Sequence, residues 1–114
     1  MKKRYRLKKS DEISILVQSR VRISSYLYNL YYSKNHQDFK IAVVCGKKCG
    51  SAVVRNYEKR VMRAIIRPKI KQLAGFHIVL VAKTTVVGKK FQEKQNDINY
   101  LIYKLLKGNK NNEN

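Results

Sequence analysis

Acidic residues are scarce in this chain of 114 residues: seven Asp and Glu stand against twenty-six Lys and Arg, a formal charge of +19. The seven are Asp11, Glu12, Asp38, Glu58, Glu93, Asp97 and Glu113, and only the first two are adjacent. A protein that cuts phosphodiesters unaided converges several carboxylates on metal ions or pairs histidines for acid and base work. Scattered acids and two separated histidines, His36 and His77, exclude a self-sufficient nuclease and leave no catalytic residue to assign. Five glycines provide no phosphate-cradling loop, since Gly46, Lys47, Lys48 and Gly50 fall short of one. Two cysteines, Cys45 and Cys49, cannot make a four-ligand zinc site, and the histidines do not complete one. Both are expected to be free thiols, Cys45 buried and Cys49 in a loop beside two lysines. No apolar run is long enough to cross a membrane, and the basic start leads into Ser10, Asp11 and Glu12 rather than a signal-peptide core. The expected location is the cytoplasm.

What remains is a folded polycation. The length fits one domain, and 44% hydrophobic residues supply a core, so the chain is not a disordered basic tail. Such a charge calls for an acidic partner: nucleic acid first, an anionic membrane surface second.

The stretch from Lys47 to Arg67 sorts its residues into two faces when read as a helix. At about 100° per residue, with Arg55 at zero, Lys59, Arg63, Asn56, Arg67 and Arg60 fall between about 40° and 140°. Tyr57, Ala64, Val61, Val54 and Ile65 fall between about 180° and 280°, an apolar band suited to lie on a sheet. Glu58, near 300°, is the one acid between Lys47 and Arg67 and is expected at the edge of that band. A solvated face usually mixes both signs, whereas five like charges on one face repel unless a polyanion neutralises them. Ser51 is the expected N-cap, and Pro68 lacks the amide needed to continue the helix.

Around this helix the chain reads in order. Residues 2–9, KKRYRLKK, are expected to form an arm ordered by contact with a partner. A short helix over 11–19, capped by Ser10, carries Ile13, Leu16 and Val17. Residues 20–32 read as a strand whose apolar parity changes near Ser24 and Ser25, which predicts a bulge or break. The run 39–45 is a second strand, buried on both sides and expected to pair with the first as a hairpin, and 76–82 is a third, buried strand. His77 lies in it without an evident carboxylate or histidine companion. Residues 84–90 form a polar loop. Ile98, Leu101, Ile102, Leu105 and Leu106 predict an amphipathic helix stopped at Gly108, followed by a disordered tail over 109–114. One domain spans 1–108, with the arm as its first nine residues.

The run Ala52, Arg55, Asn56, Lys59, Arg60 and Arg63, spaced A-x-x-R-N-x-x-K-R-x-x-R and preceded by Lys47, Lys48 and Gly50, resembles the signature of the bacterial ribonuclease P protein subunit. The resemblance extends from RYRLKKSDE to the carboxy-terminal helix. Pattern alone indicates an α+β, two-layer α-β sandwich. The resemblance adds a sheet of about four strands, flanked by three helices, with a left-handed βαβ crossover as in some ribosomal proteins.

It also implies roles. Lys47, Lys48, Arg55, Lys59, Arg60, Arg63 and Arg67 would neutralise phosphates of a large catalytic RNA subunit, and Asn56 would fix backbone or a metal-bound water. Arg4, Arg6, Lys8 and Lys9 of the arm would add RNA contacts. Tyr31 matches by position the aromatic of a cleft that receives the single-stranded 5′ leader of precursor tRNA, and its odd parity separates it from Tyr26, Tyr28 and Tyr32. Ile13 and Val17 stand where the family commonly has phenylalanines lining that cleft; they pack but do not stack. Tyr57 and Glu58 replace more usual basic and aliphatic residues. The implied cofactor is Mg²⁺, bound mainly by the RNA subunit. The implied partners are that RNA and precursor tRNA, with no membrane and no DNA. A basic ribosomal or RNA-chaperone protein stays open on composition and charge, and only the spaced signature argues against it. A polybasic membrane-surface module would need exposed apolar anchors outside the predicted elements.

Overall fold

The computed structural model describes residues 3–7 and 10–112; Lys8 and Lys9 of the arm and the end of the tail lie outside them. Four strands among the described residues, β1 (Arg22–Ser24), β2 (Tyr28–Ser33), β3 (Lys40–Cys45) and β4 (His77–Ala82), form one sheet in the order β1-β2-β4-β3. Three α-helices flank it: α1 (Ser10–Gln18), α2 (Ala52–Ile66) and α3 (Phe91–Asn112). The pairings of β1 with β2 and β2 with β4 are antiparallel, while β3 and β4 are parallel and connected through α2. The domain is therefore α+β with a mixed sheet.

The break expected near Ser25 is a full reversal, so the 20–32 stretch supplies two strands that pair with each other. Partners distant in sequence hold this turn. The Asp97 carboxylate on α3 accepts from the Ser25 hydroxyl and from the Leu27 amide (2.9 Å), Lys83 Nζ donates to the Ser25 carbonyl, and Thr85 Oγ1 donates to the Tyr26 carbonyl at 2.7 Å. The hairpin expected between this stretch and 39–45 does not form, because β4 inserts between β2 and β3. Burial explains the order. Ile78, Val79 and Leu80 of β4 are wholly buried and take the centre, where both strand edges are paired. β3 was expected to be buried on both sides; its residues 42–44 are only half-buried, as suits an edge strand.

The described part of the basic arm, residues 3–7, is docked rather than loose. Lys3–Tyr5 form a 3₁₀ turn, Arg6 bridges to Ile41 in parallel fashion, and the Leu7 amide donates to the Ile41 carbonyl at 2.9 Å. Leu7 is buried and Tyr5 packs against Phe39, so the arm covers part of the open β3 edge.

Helix ends follow local chemistry. The Ser51 hydroxyl accepts the Val54 amide at 3.4 Å, and beyond Ile66 the chain tightens into a 3₁₀ segment over Arg67–Leu73 that contains Pro68. At the start of α3 the Glu93 carboxylate accepts the Lys90 amide at 2.9 Å, the return half of a capping box. α3 does not stop at Gly108. That glycine is absent from the positive-φ residues, and the helix runs through it to Asn112; a glycine inside a helix costs about 1 kcal/mol without forcing a break.

The sheet separates two clusters. Tyr28, Leu30, Ile78, Leu80 and Ala82 meet Met62, Ile65 and Ile66 of α2 and Ile98, Leu101 and Leu105 of α3 in the main core. Leu16 of α1 packs on Tyr31, Val79 and Leu7, with Ile13, Val17, Ala42, Val44 and Val81 half-buried around them. Tyr31 thus faces away from Tyr28 and Leu30, as its parity requires.

Candidate nucleic-acid interface

α2 is rotated relative to its expected placement. Its buried residues are Glu58, Val61, Met62, Ile65 and Ile66, which on the Arg55-zero wheel span about 240° through 300° to 20°. The apolar band near 180° to 280° was expected inside, yet Tyr57 and Ala64 are exposed. Met62 and Ile66 decide the rotation, because they flank Arg55 at about 340° and 20° and carry more apolar surface than Ala64. Glu58 is accordingly at the middle of the buried side rather than at its edge. It is tolerated there because Lys94 of α3 brings its ammonium to 2.9 Å from Oε1 and 3.0 Å from Oε2, with the hydrogen bond to Oε2. The two side chains are 4% and 2% exposed, so each charge depends on the other. Burial, followed by the charge of Glu58, pushes the Tyr28 phenol well above its ordinary value.

The same rotation sorts the cations. Asn56, Arg60 and Arg67 are exposed, while Arg55, Lys59 and Arg63 are half-buried along the seam between helix and sheet. Arg55 Nε is buried with no hydrogen-bond partner among the described residues. Lys47 and Lys48 are exposed on the 3₁₀ turn that leads into α2. Cys49 lies on that turn beside the two lysines and is buried, and both cysteines are free. Burial, and then the bond to Cys49, push the Cys45 thiol up to about 12, so it is inert.

At the β3 edge the arm meets the central helix. A cavity of about 160 Å³ is lined by Arg6, Leu7, Ile13, Ile41, Ala42, Val43 and Arg63. No acid lines it. Burial, and then the nearby charge of Arg6, lower the pKa of Arg63, so two guanidinium groups from distant parts of the chain repel each other here. Arg4 is exposed, donating to the Tyr5 hydroxyl at 2.9 Å.

Tyr31, Ile13 and Val17 are gathered on the α1 face, in one cluster. Tyr31 is only 9% exposed, so little of its ring is available as an open stacking platform. Its hydroxyl accepts from Arg22 Nη1 at 3.4 Å. Arg22 escaped sequence reasoning because its place follows from the β1–β2 register, which sets it directly opposite Tyr31.

His77 acquires the companions that its sequence neighbourhood lacks. Its Nε2 lies 2.8 Å from Asp38 Oδ1, and its ring stacks on His36 with centroids 3.5 Å apart and planes at 6°. The register that pairs Lys40 with His77 brings Asp38 there, and the His36 amide, donating to the Gly75 carbonyl at 3.0 Å, fixes the facing loop. Among the described residues no three His, Cys, Asp or Glu side chains are grouped to hold a metal ion. No helix among them is long and apolar enough to cross a membrane.

Similarity to known proteins matches this arrangement. The family model described as Ribonuclease P matches residues 1–106. The ribonuclease P protein component of Mesoplasma florum is 33% identical over 110 residues, covering 94% of this chain and all of the relative. That of Phytoplasma australiense is 40% identical over 96 residues, covering 82% of this chain and 84% of the relative. Among solved structures, the Staphylococcus aureus RNase P protein superposes with a TM-score of 0.80 at 21% identity, over 87% of this chain and 93% of that one. The Thermotoga maritima RNase P protein gives 0.74 at 23% identity, over 86% and 96%. The structural likeness reproduces the sheet and its three helices, and the sequence matches span nearly the whole chain: it belongs to the Ribonuclease P family.

Proposed function

We propose that this chain is the RNA-binding protein subunit of ribonuclease P, which assists a catalytic RNA in removing 5′ leaders from precursor tRNA in the cytoplasm. The observation that carries the reading is the meeting of Arg6 and Arg63 in a cavity without an acid, continuous with a helix face bearing Arg55, Lys59, Arg60 and Arg67. Like charges held this close are stable when a phosphate lies between them, and guanidinium groups suit phosphate oxygens. Lys47 and Lys48 extend the charged surface before the helix, and Asn56 offers a neutral donor and acceptor beside it. Arg4 with Lys8 and Lys9 of the arm adds phosphate contacts. The half-buried floor of Ile13 and Val17, with the Tyr31 edge, takes the unpaired leader.

In this reading the chain supplies charge and grip, and the reaction belongs to the RNA subunit with its Mg²⁺. The described acids support that division, because four of them already have structural partners. Asp38 binds His77, Glu58 binds Lys94, Glu93 caps α3, and Asp97 holds the β1–β2 turn. Cations fixed on a folded surface replace part of the ion atmosphere that two polyanions need in order to approach.

The test is reconstitution. With Mg²⁺ alone the protein should leave precursor tRNA uncut. Added to a bacterial ribonuclease P RNA at low Mg²⁺ and moderate salt, it should raise cleavage at the 5′ end of the tRNA body. Binding to bulk ribosomal RNA with no effect on that cleavage would favour the ribosomal or chaperone reading instead.

A further inference from the structure

A second groove, of about 270 Å³, opens where β2 ends and β4 begins, beneath the first turns of α1. Leu7, Leu16 and Ile15 give it aliphatic walls, and Ile15 is 66% exposed although it is a large apolar side chain. Its other side is the stacked pair His36 and His77. Both imidazoles are held in place: His36 Nε2 lies 2.7 Å from Ser33 Oγ, and His77 Nε2 lies 2.8 Å from Asp38 Oδ1. Glu12 stands at the rim.

The chemistry differs from that of the β3-edge cavity. There two cations and no acid favour a phosphate; here flat rings, aliphatic walls and a carboxylate disfavour one. Such a lining suits a planar, uncharged aromatic group, and in a chain of charge +19 the RNA that brings it is drawn in by the surrounding cations. We propose that this groove seats one unpaired nucleobase of the precursor's 5′ leader between Ile15 and the His36–His77 stack, with Glu12 accepting a hydrogen bond from an exocyclic amino group. This rests on the leader-binding reading above. The leader, rather than the RNA subunit, is the source because Leu16, which does not line the Arg6–Arg63 cavity, belongs both to this groove and to the cluster around Tyr31. One strand can thus touch both places. A carboxylate accepts from the amino groups of adenine or cytosine and has no donor to meet at the corresponding oxygen of uracil.

The experiment uses the reconstituted holoenzyme and precursor tRNAs carrying an abasic residue at each leader position in turn. His36→Ala should weaken precursor binding by roughly 5- to 150-fold, the range of one lost base stack. The loss should vanish when a single leader position is abasic, and that position should differ from the one coupled to Tyr31→Leu. His36→Phe, which keeps a flat ring, should retain most of the affinity. Ile15→Ser, at an exposed site, should repeat the loss if His36→Ala folds poorly. Glu12→Gln should reduce the preference for adenosine or cytidine over uridine at the same position. If His36→Ala and Ile15→Ser bind every precursor as the parent does while Tyr31→Leu still loses leader affinity, the groove is empty and the leader reading stands. Equal weakening towards mature tRNA or the free RNA subunit would overturn the assignment of this groove to the leader. If none of these variants separates precursor from mature tRNA, the leader reading itself fails, and this inference with it.

Discussion

The two faces of the sheet are finished to different degrees. On one, α2 and α3 seal a core in which Met62, Ile66, Ile78, Leu80, Leu101 and Leu105 are almost wholly buried, together with the Glu58–Lys94 pair. On the other, α1 has nine residues, about 13 Å of helix, and leaves Ala42, Val44 and Val81 half-covered. The difference teaches that stability is concentrated behind the sheet, so the front can stay open to a ligand. A domain that closed both faces equally would have no unfilled apolar floor to offer.

The sharpest way to break that division is to attack the sealed face. Glu58→Gln leaves the Lys94 ammonium buried without its counter-charge, which should cost about 3–5 kcal/mol of folding free energy. Denaturant titration measures it, and the fraction that remains folded should bind RNA with unchanged affinity. A carboxylate-to-amide loss of activity here would therefore report folding rather than chemistry.

Salt acts on the outward surface of α2, the helix whose inner side seals that core. If about five phosphates are neutralised, a fourfold rise in salt should weaken RNA subunit binding on the order of 100-fold by the single-strand slope. Arg60→Ala with Arg63→Ala should make that dependence shallower by roughly 1.4 in the log–log slope. Because Arg63 is half-buried and Arg60 exposed, any loss in melting temperature should trace to Arg63. A complex indifferent to salt would remove the basis for assigning the α2 face to RNA.

Substitution at Tyr31 probes the open face more gently. Tyr31→Leu fills the floor without an aromatic edge and should weaken precursor tRNA binding by about 1–3 kcal/mol while sparing mature tRNA. Tyr31→Phe drops only the bond from Arg22 and should stay close to the parent in both assays.

The smallest effect is that of pH. Burial, and then the charge of His77, lower the pKa of His36 below its ordinary 6.5, so the folded protein binds fewer protons there than the unfolded chain. That contribution is complete above the ordinary value and is lost as pH falls below it. The hydrogen bond from His77 lowers the pKa of Asp38 below 3.8, a contribution held above that value and lost as pH falls through the folded one. Acid should therefore lower the melting temperature in two modest steps, and His36→Asn should flatten the upper one.

Much of this was legible in residues that act on their own neighbours. Ser51 and Pro68 bound α2 because a cap and a missing amide work within one turn. The parity of Tyr31 against Tyr28 and Leu30 placed it on the opposite face because the pleat has period two. Charge and spacing marked the cationic stripe of α2 for the same reason: they are properties of one helix. What depended on a distant partner was hidden. Helical periodicity cannot say which of two neighbouring arcs turns inward, and Lys94, thirty-six residues away, is what permits Glu58 at the buried centre. The insertion of β4 between β2 and β3, the reversal at Ser25 held by Asp97, the docking of Arg6 beside Arg63 and the stacking of His36 on His77 are likewise long-range choices. Sequence alone determined most of the elements, the ends of α2 and the sign of its charge, because those follow from interactions within a few residues. Only the tertiary structure decided the strand order, the rotation of α2 and the two differently charged cavities, because each is the free energy of groups that meet only once the chain has folded.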